Sequence, residues 1–173
     1  MDLLEEFRLE ARLSYDWLEA IIGDVTPAQA LWQPPGLANT IAATYAHIVR
    51  NIDEDFNQRL FRRARLNEGA WRGRTGLDPD LSDWEQGDRI DWPALRAYGR
   101  AMHAFLIETM DAITEDDLER VAELSTPDRE VWRGIDIVRL SVCDHVKLHG
   151  GEISCLKGLQ GARGYRSGLD TPE

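Results

Sequence analysis

Residues 136–158 read DIVRLSVCDHVKLHGGEISCLKG. Apolar residues recur at three- and four-residue spacing around much of its girth, so it predicts a long helix that is the most buried of the fold. His145 and His149 are four residues apart and project from one face of such a helix, and Glu152 shares that face. Two imidazoles at this spacing can bind one metal ion.

Three further segments have the same helical periodicity. Segments 2–22, 40–62 and 92–112 each carry an apolar stripe, and Asn39 and Asp91 are the predicted N-caps of the second and third helices. Four helices of roughly twenty residues predict an all-α four-helix bundle. Facing helices of such bundles commonly bind metals or ligands in the core.

Shorter elements connect the predicted helices. Residues 26–29 combine an N-cap threonine, a proline at the first helical position and a capping-box glutamine, and residues 114–117 open a second short helix. Segment 63–91 lacks periodicity but contains Trp71 and Trp84, which favour packing over disorder. A loop of this length is usually functional, and we expect either a lid over a pocket or an arm that reaches a dimer partner.

Length, charge and hydropathy predict the number of domains and the cellular location of the protein. The 173 residues predict one domain over 1–161, followed by a polar tail over 162–173. The net charge of −11 argues against nucleic-acid binding, which needs a basic face. No apolar run reaches the roughly 18 residues of a membrane span, and the acidic start differs from a signal peptide. We therefore expect a cytoplasmic protein that binds neither nucleic acid nor membrane, with Cys143 and Cys155 reduced.

Each candidate ligand also has a structural interpretation. A helical His-x-x-x-His pair is often two polar residues on a partly buried face, and His47, in the second helix, is by itself more often a hydrogen-bonded interior histidine. Glu152 is a carboxylate that fixes a histidine ring, a fourth ligand or a capping and salt-bridge residue, and we favour the first. His103 is expected at the surface or the rim of the core, and Asp53 is expected to be solvated or paired with a basic residue.

Two glycines follow the histidine pair directly. Gly150 and Gly151 lie inside the predicted helix, where each costs about 1 kcal/mol relative to alanine. This cost suggests that something approaches the backbone closely there, either a neighbouring helix or a substrate.

The histidines and the residues around them resemble the DinB/YfiT-like superfamily. The resemblance consists of His47 in the second helix followed by His145-x-x-x-His149-x-Gly-Glu-Ile153 in the last, with Glu152 where the family usually has glutamine. The segment 32–36, Trp-Gln-Pro-Pro-Gly, before the second helix also matches a recurrent family pattern. The long 63–91 loop departs from the compact pattern of this family.

The resemblance implies a homodimeric four-helix bundle in which His47, His145 and His149 bind a divalent metal. Zinc or nickel is the expected ion, with iron or manganese as alternatives, because imidazole suits several first-row metals. Relatives of this kind include transferases that use mycothiol or bacillithiol, which predicts conjugation of a small thiol to an electrophile. In this mechanism Glu152 orients a histidine or accepts a proton. The alternatives are a metal-dependent hydrolase that uses water, and a non-catalytic dimeric metal-binding or stress-response bundle.

Overall fold

A computed structural model describes residues 2–78, 81–86, 89–122 and 131–164 of the chain. Four long helical stretches dominate it, as the periodicity predicts. They comprise α1 (Leu3–Ile22), α3 (Ile41–Ile52) continued by a π-helical segment Asp53–Leu60, α4 (Trp92–Ala112), and a last stretch of three consecutive pieces. The pieces of the last stretch are α6 (Gly134–Asp136), a π-helical segment Ile137–Asp144 and α7 (His145–Leu159). The prediction of an all-α bundle is confirmed.

Shorter elements join these helices. They are α2 (Pro27–Ala30), α5 (Glu115–Glu119), two 3-10 turns, Leu66–Glu68 and Asp83–Glu85, and an antiparallel strand pair, β1 (Val121–Ala122) with β2 (Trp132–Arg133). The strand pair was not predicted. Most of the predicted tail, from residue 165 onward, lies outside the described residues.

Side-chain caps define where several helices begin. Thr26 and Thr114 cap α2 and α5 through capping boxes, and Asp91 caps α4 by accepting a hydrogen bond from the Ala94 amide at 3.0 Å. The predicted N-cap Asn39 is wrong by one residue. Thr40 caps α3 instead, because its hydroxyl accepts a hydrogen bond from the Ala43 amide at 3.1 Å.

The bundle packs α1 against α4 and α7, and α3 against the same two helices. The core between them is aliphatic and aromatic. Its largest fully buried side chains are Tyr45, Tyr98, Phe56, Leu18, Ile21, Ile22, Ile41, Ile48, Ile52, Leu60, Leu95 and Met102. Within the described parts of the chain, no helix is both long and apolar enough for a membrane span.

The prediction that the last helix is the most buried is wrong. Leu148 and Leu159 of α7 are 65% and 61% exposed, whereas most residues of α3 are buried. The helix that contributes His47 is therefore the central one. The reason is that α3 packs against both α4 and α7 and is also covered by the turn Asp83–Glu85 of the 63–91 segment.

The two π-helical segments lie against each other in this interior. Ser141 of one segment donates a hydrogen bond to the Asp55 carboxylate of the other at 2.7 Å, and both side chains are buried. Because the first segment continues α3, which contains His47, and the second directly precedes His145, this bond ties together the two helices that carry the histidines.

Asp53 organises the start of the 63–91 segment. Its carboxylate is 1% exposed and accepts hydrogen bonds from the amides of Leu66 and Asn67, both at 2.9 Å, and from the Tyr98 hydroxyl at 2.6 Å. The Asn57 side chain donates a fourth, at 2.8 Å. The expectation of a solvated or ion-paired carboxylate is therefore wrong for Asp53, because neutral donors from three parts of the chain satisfy it in the core.

Candidate metal centre

Three histidines from two helices meet at one point. His47 comes from α3, and His145 and His149 come from adjacent turns of α7. One ring nitrogen from each lies within 4.8 Å of the other two, which is close enough for the three to ligate one ion. The structure thus brings together the three residues that the sequence singled out.

The ring nitrogens that face the centre come very close to one another. Nε2 of His47 and Nε2 of His145 are 3.0 Å apart. The ring centroids of the three histidines are 4.4 to 4.9 Å apart, with the rings steeply inclined to one another. Lone pairs that converge in this way repel each other unless a proton or a cation lies between them, so the donor set fits a divalent metal that accepts imidazole nitrogen.

Burial keeps His145 in the form that binds metals. Burial, together with the neighbouring His149 and His47, lowers the pKa of His145 to about 3. The neutral imidazole is the ligand form, so His145 is ready to bind a cation near neutral pH. Its Nδ1 is also buried and has no hydrogen-bond partner within the described segments.

Carboxylates contact the rings of the other two histidines. Glu152 Oε2 lies 2.7 Å from His149 Nδ1, and Asp83 Oδ2 lies 3.1 Å from His47 Nδ1. Glu152 was singled out from the sequence as a residue that could fix a histidine ring, and its position is compatible with that role. In His47, Nδ1 contacts the carboxylate and Nε2 is directed toward His145, an arrangement common around protein-bound metals.

The sequence did not predict that Asp83 lies at this centre. Trp84, the residue beside it, was expected to pack, but its position against the histidines was not predicted. The Trp84 ring lies 4.5 Å from the His47 ring and 6.3 Å from the His149 ring, and 41% of Trp84 is exposed. The available sequence signal was the capping-box pattern from Ser82 to Glu85, which indicates a turn. That pattern does not specify what the turn packs against.

The fourth histidine lies elsewhere. His103 of α4 stacks on Tyr15 of α1, with ring centroids 4.6 Å apart, and is half-buried as expected for the rim of the core. Because it does not belong to the histidine cluster, it is a natural control residue for metal binding.

The two glycines after His149 have different surroundings. A Cβ on Gly150 would lie 2.4 Å from Cζ3 of Trp17 in α1, whereas a Cβ on Gly151 would meet nothing within 4 Å. The close approach at Gly150 is therefore that of the neighbouring helix. Gly151 makes no such contact, although glycine destabilises a helix relative to alanine at this position as well.

This difference predicts opposite effects for the two alanine substitutions. Gly151→Ala is expected to raise the free energy of unfolding by about 1 kcal/mol, because alanine is the better helix former. Gly150→Ala is expected to lower it by about 1–3 kcal/mol, because the new methyl group overlaps the Trp17 ring. Urea denaturation of the metal-free proteins measures both changes. A destabilised Gly151→Ala protein would contradict the assignment of open space at that position.

Comparison with known proteins agrees with this geometry. The family model described as the DinB superfamily matches residues 10–153, a range that contains all three clustered histidines. No curated protein matches the chain.

Proposed function

The chain belongs to the DinB superfamily, and we propose that it is a metal-dependent transferase that conjugates a low-molecular-weight thiol, of the mycothiol or bacillithiol type, to an electrophile. The observation that carries the proposal is the convergence of three histidine nitrogens within 4.8 Å. Three neutral imidazoles leave coordination positions open, as in catalytic zinc sites. We further propose a cytoplasmic homodimer, with zinc or nickel as the ion and iron or manganese as alternatives.

The residues of the site have separate roles in this proposal. His47, His145 and His149 would hold the metal. When bound, a divalent metal supplies Lewis acidity, which lowers the pKa of a nearby thiol or water. Glu152 orients His149, and because its side chain is 52% exposed it can also accept the proton that the thiol releases. The thiol gives up its S–H proton, its sulfur forms the new bond to the electrophilic carbon, and that carbon's bond to its leaving group breaks, so a haloalkyl acceptor releases halide.

The chain's own buried cysteine does not suit the role of nucleophile. Burial raises the pKa of the Cys143 thiol to about 12, so this residue stays protonated near neutral pH. A thiol that arrives as a cosubstrate avoids this restriction. This difference favours a transferase that uses an external thiol over an enzyme with a cysteine nucleophile of its own.

A conjugation assay tests the proposal. The protein is loaded separately with zinc, nickel, manganese or anaerobic ferrous iron and given mycothiol or bacillithiol together with a haloalkyl acceptor. We expect a thioether product, detected by mass spectrometry, that is absent with His149→Ala and present with His103→Ala. The two variants each lose one histidine, but only the first loses a member of the cluster.

Two outcomes would contradict the transferase proposal. If no thioether formed with any metal while the loaded protein hydrolysed an ester or amide, the site would be that of a hydrolase. If neither reaction occurred and His149→Ala altered thermal stability alone, the protein would be a non-catalytic metal-binding bundle.

A further inference from the structure

Asp83 reaches the histidine cluster from outside the helices that form it. It begins the 3-10 turn Asp83–Glu85 within the 63–91 segment, and both of its carboxylate oxygens contact α3. Oδ2 lies 3.1 Å from His47 Nδ1, and Oδ1 accepts a hydrogen bond from Arg50 Nη1 at 2.6 Å. The Asp83 side chain is 15% exposed, so water screens these contacts only partly.

The contact with Asp83 determines which nitrogen of His47 is free. A carboxylate can only accept a hydrogen bond, so His47 Nδ1 must carry the proton. In the neutral ring the lone pair then lies on Nε2, the atom that is 3.0 Å from His145 Nε2. Asp83 thus selects the tautomer that directs the lone pair of His47 into the cluster.

We infer that Asp83 is a positioning residue for His47 and that the turn Asp83–Glu85 is consequently part of the metal centre. This inference rests on the proposed metal site and extends it to a third part of the chain, 36 residues from His47. Trp84, the next residue, lies against the same ring and covers one side of the cluster. Asp83 and Trp84 of this turn therefore form one wall of the site.

The position of Glu152 supports this inference independently. Glu152 contacts His149 Nδ1 in the same way that Asp83 contacts His47 Nδ1, but it lies on the same helix as its histidine. His47 has no such local carboxylate contact among the described residues, and the turn Asp83–Glu85 supplies one from a distance. Outer carboxylates of this kind typically strengthen metal binding 10- to 100-fold.

The test compares cobalt(II) and zinc binding to wild type, Asp83→Ala, Asp83→Asn and Glu85→Gln. Calorimetry gives the dissociation constants, and the cobalt absorption spectrum reports the ligand geometry. We expect Asp83→Ala to weaken binding roughly 10- to 100-fold and to change the spectrum.

Asp83→Asn should recover much of the affinity, because its amide oxygen still accepts a hydrogen bond from His47 Nδ1–H. Glu85→Gln removes a charge from the same turn, keeps a capping-box side chain and should bind like wild type.

A second measurement needs no metal. Nitrogen NMR of metal-free protein with labelled histidine is expected to show His47 protonated on Nδ1 in wild type and redistributed between the two nitrogens in Asp83→Ala. Wild-type His47 protonated on Nε2 would overturn the inference.

The binding data separate this inference from the proposed function. Metal binding of wild-type strength by Asp83→Ala would overturn the positioning role and leave the metal site intact. Equal losses in Asp83→Ala and Asp83→Asn would also overturn it, since they would point to the Arg50 ion pair. A wild-type protein that bound neither cobalt nor zinc, and also none of nickel, manganese and ferrous iron, would overturn both the proposed function and this extension of it.

Discussion

Protein purified without a histidine tag is expected to contain about one divalent metal ion per chain, and the His145→Ala variant is expected to contain almost none. His145 supplies the nitrogen that lies 3.0 Å from His47 Nε2, and burial keeps its ring neutral. Removing it leaves two ligands on separate helices and a space that water can enter. Elemental analysis of both proteins, with the protein concentration measured independently, gives the stoichiometry.

The matched control for this measurement is His103→Ala. It also removes one half-buried histidine, but that ring stacks on Tyr15 away from the cluster, so its metal content should equal that of wild type. Circular dichroism verifies that both variants are folded. If wild type stayed free of metal even after incubation with zinc, nickel, manganese and anaerobic ferrous iron, the histidines would be core residues only.

Asp53→Ala is expected to lower the free energy of unfolding by about 3–5 kcal/mol, the largest loss we expect from a single substitution outside the histidine cluster. The substitution leaves four donors without this acceptor, namely the buried Tyr98 hydroxyl and Asn57 amide and the partly buried backbone amides of Leu66 and Asn67. Burial and the Asp53 charge together raise the pKa of Tyr98, so this hydroxyl stays protonated and needs an acceptor. Urea denaturation of the metal-free protein measures the change.

Asp111→Ala provides the comparison for Asp53→Ala. Asp111 is also a helical aspartate, but its side chain is 53% exposed and its ion pair with Arg12 lies at the surface. Exposed pairs of this kind contribute about 0–1 kcal/mol, so this variant should unfold close to wild type. Similar, small losses in both variants would show that the hydrogen bonds of Asp53 contribute little to stability.

The helices could be predicted because their signals are local. A 3.6-residue apolar period and an N-cap side chain three residues from its amide are both contained within one element. The error at Asn39 arose because Asn39 and Thr40 are both good caps, and the final backbone geometry selects between them. The π-helical segments have no comparable local pattern, since they form where two packed helices meet at Ser141 and Asp55.

The site was predictable only where its residues lie on helices. The spacing of His145 and His149 placed them on one face, and His47 joined them through the family resemblance. Asp83 has no such signal, because the residues it contacts lie on α3, 33 and 36 residues away, and an acidic residue in an irregular loop is ordinarily solvated. The expectation for Asp53 was wrong for the same reason, because its backbone amide donors lie 13 and 14 residues further along the chain.

His47 is synthesised well before His145 and His149, because it lies much nearer the N-terminus. His47 and His145 are 98 residues apart, and Asp83 lies between them. A ribosome makes the protein from the N-terminus, so α3 and the 63–91 segment emerge well before the other two ligands exist. The three histidines can meet only after α7 has been synthesised and has packed against α3. A chain interrupted before residue 145 would therefore lack two of the three histidines of the candidate metal centre.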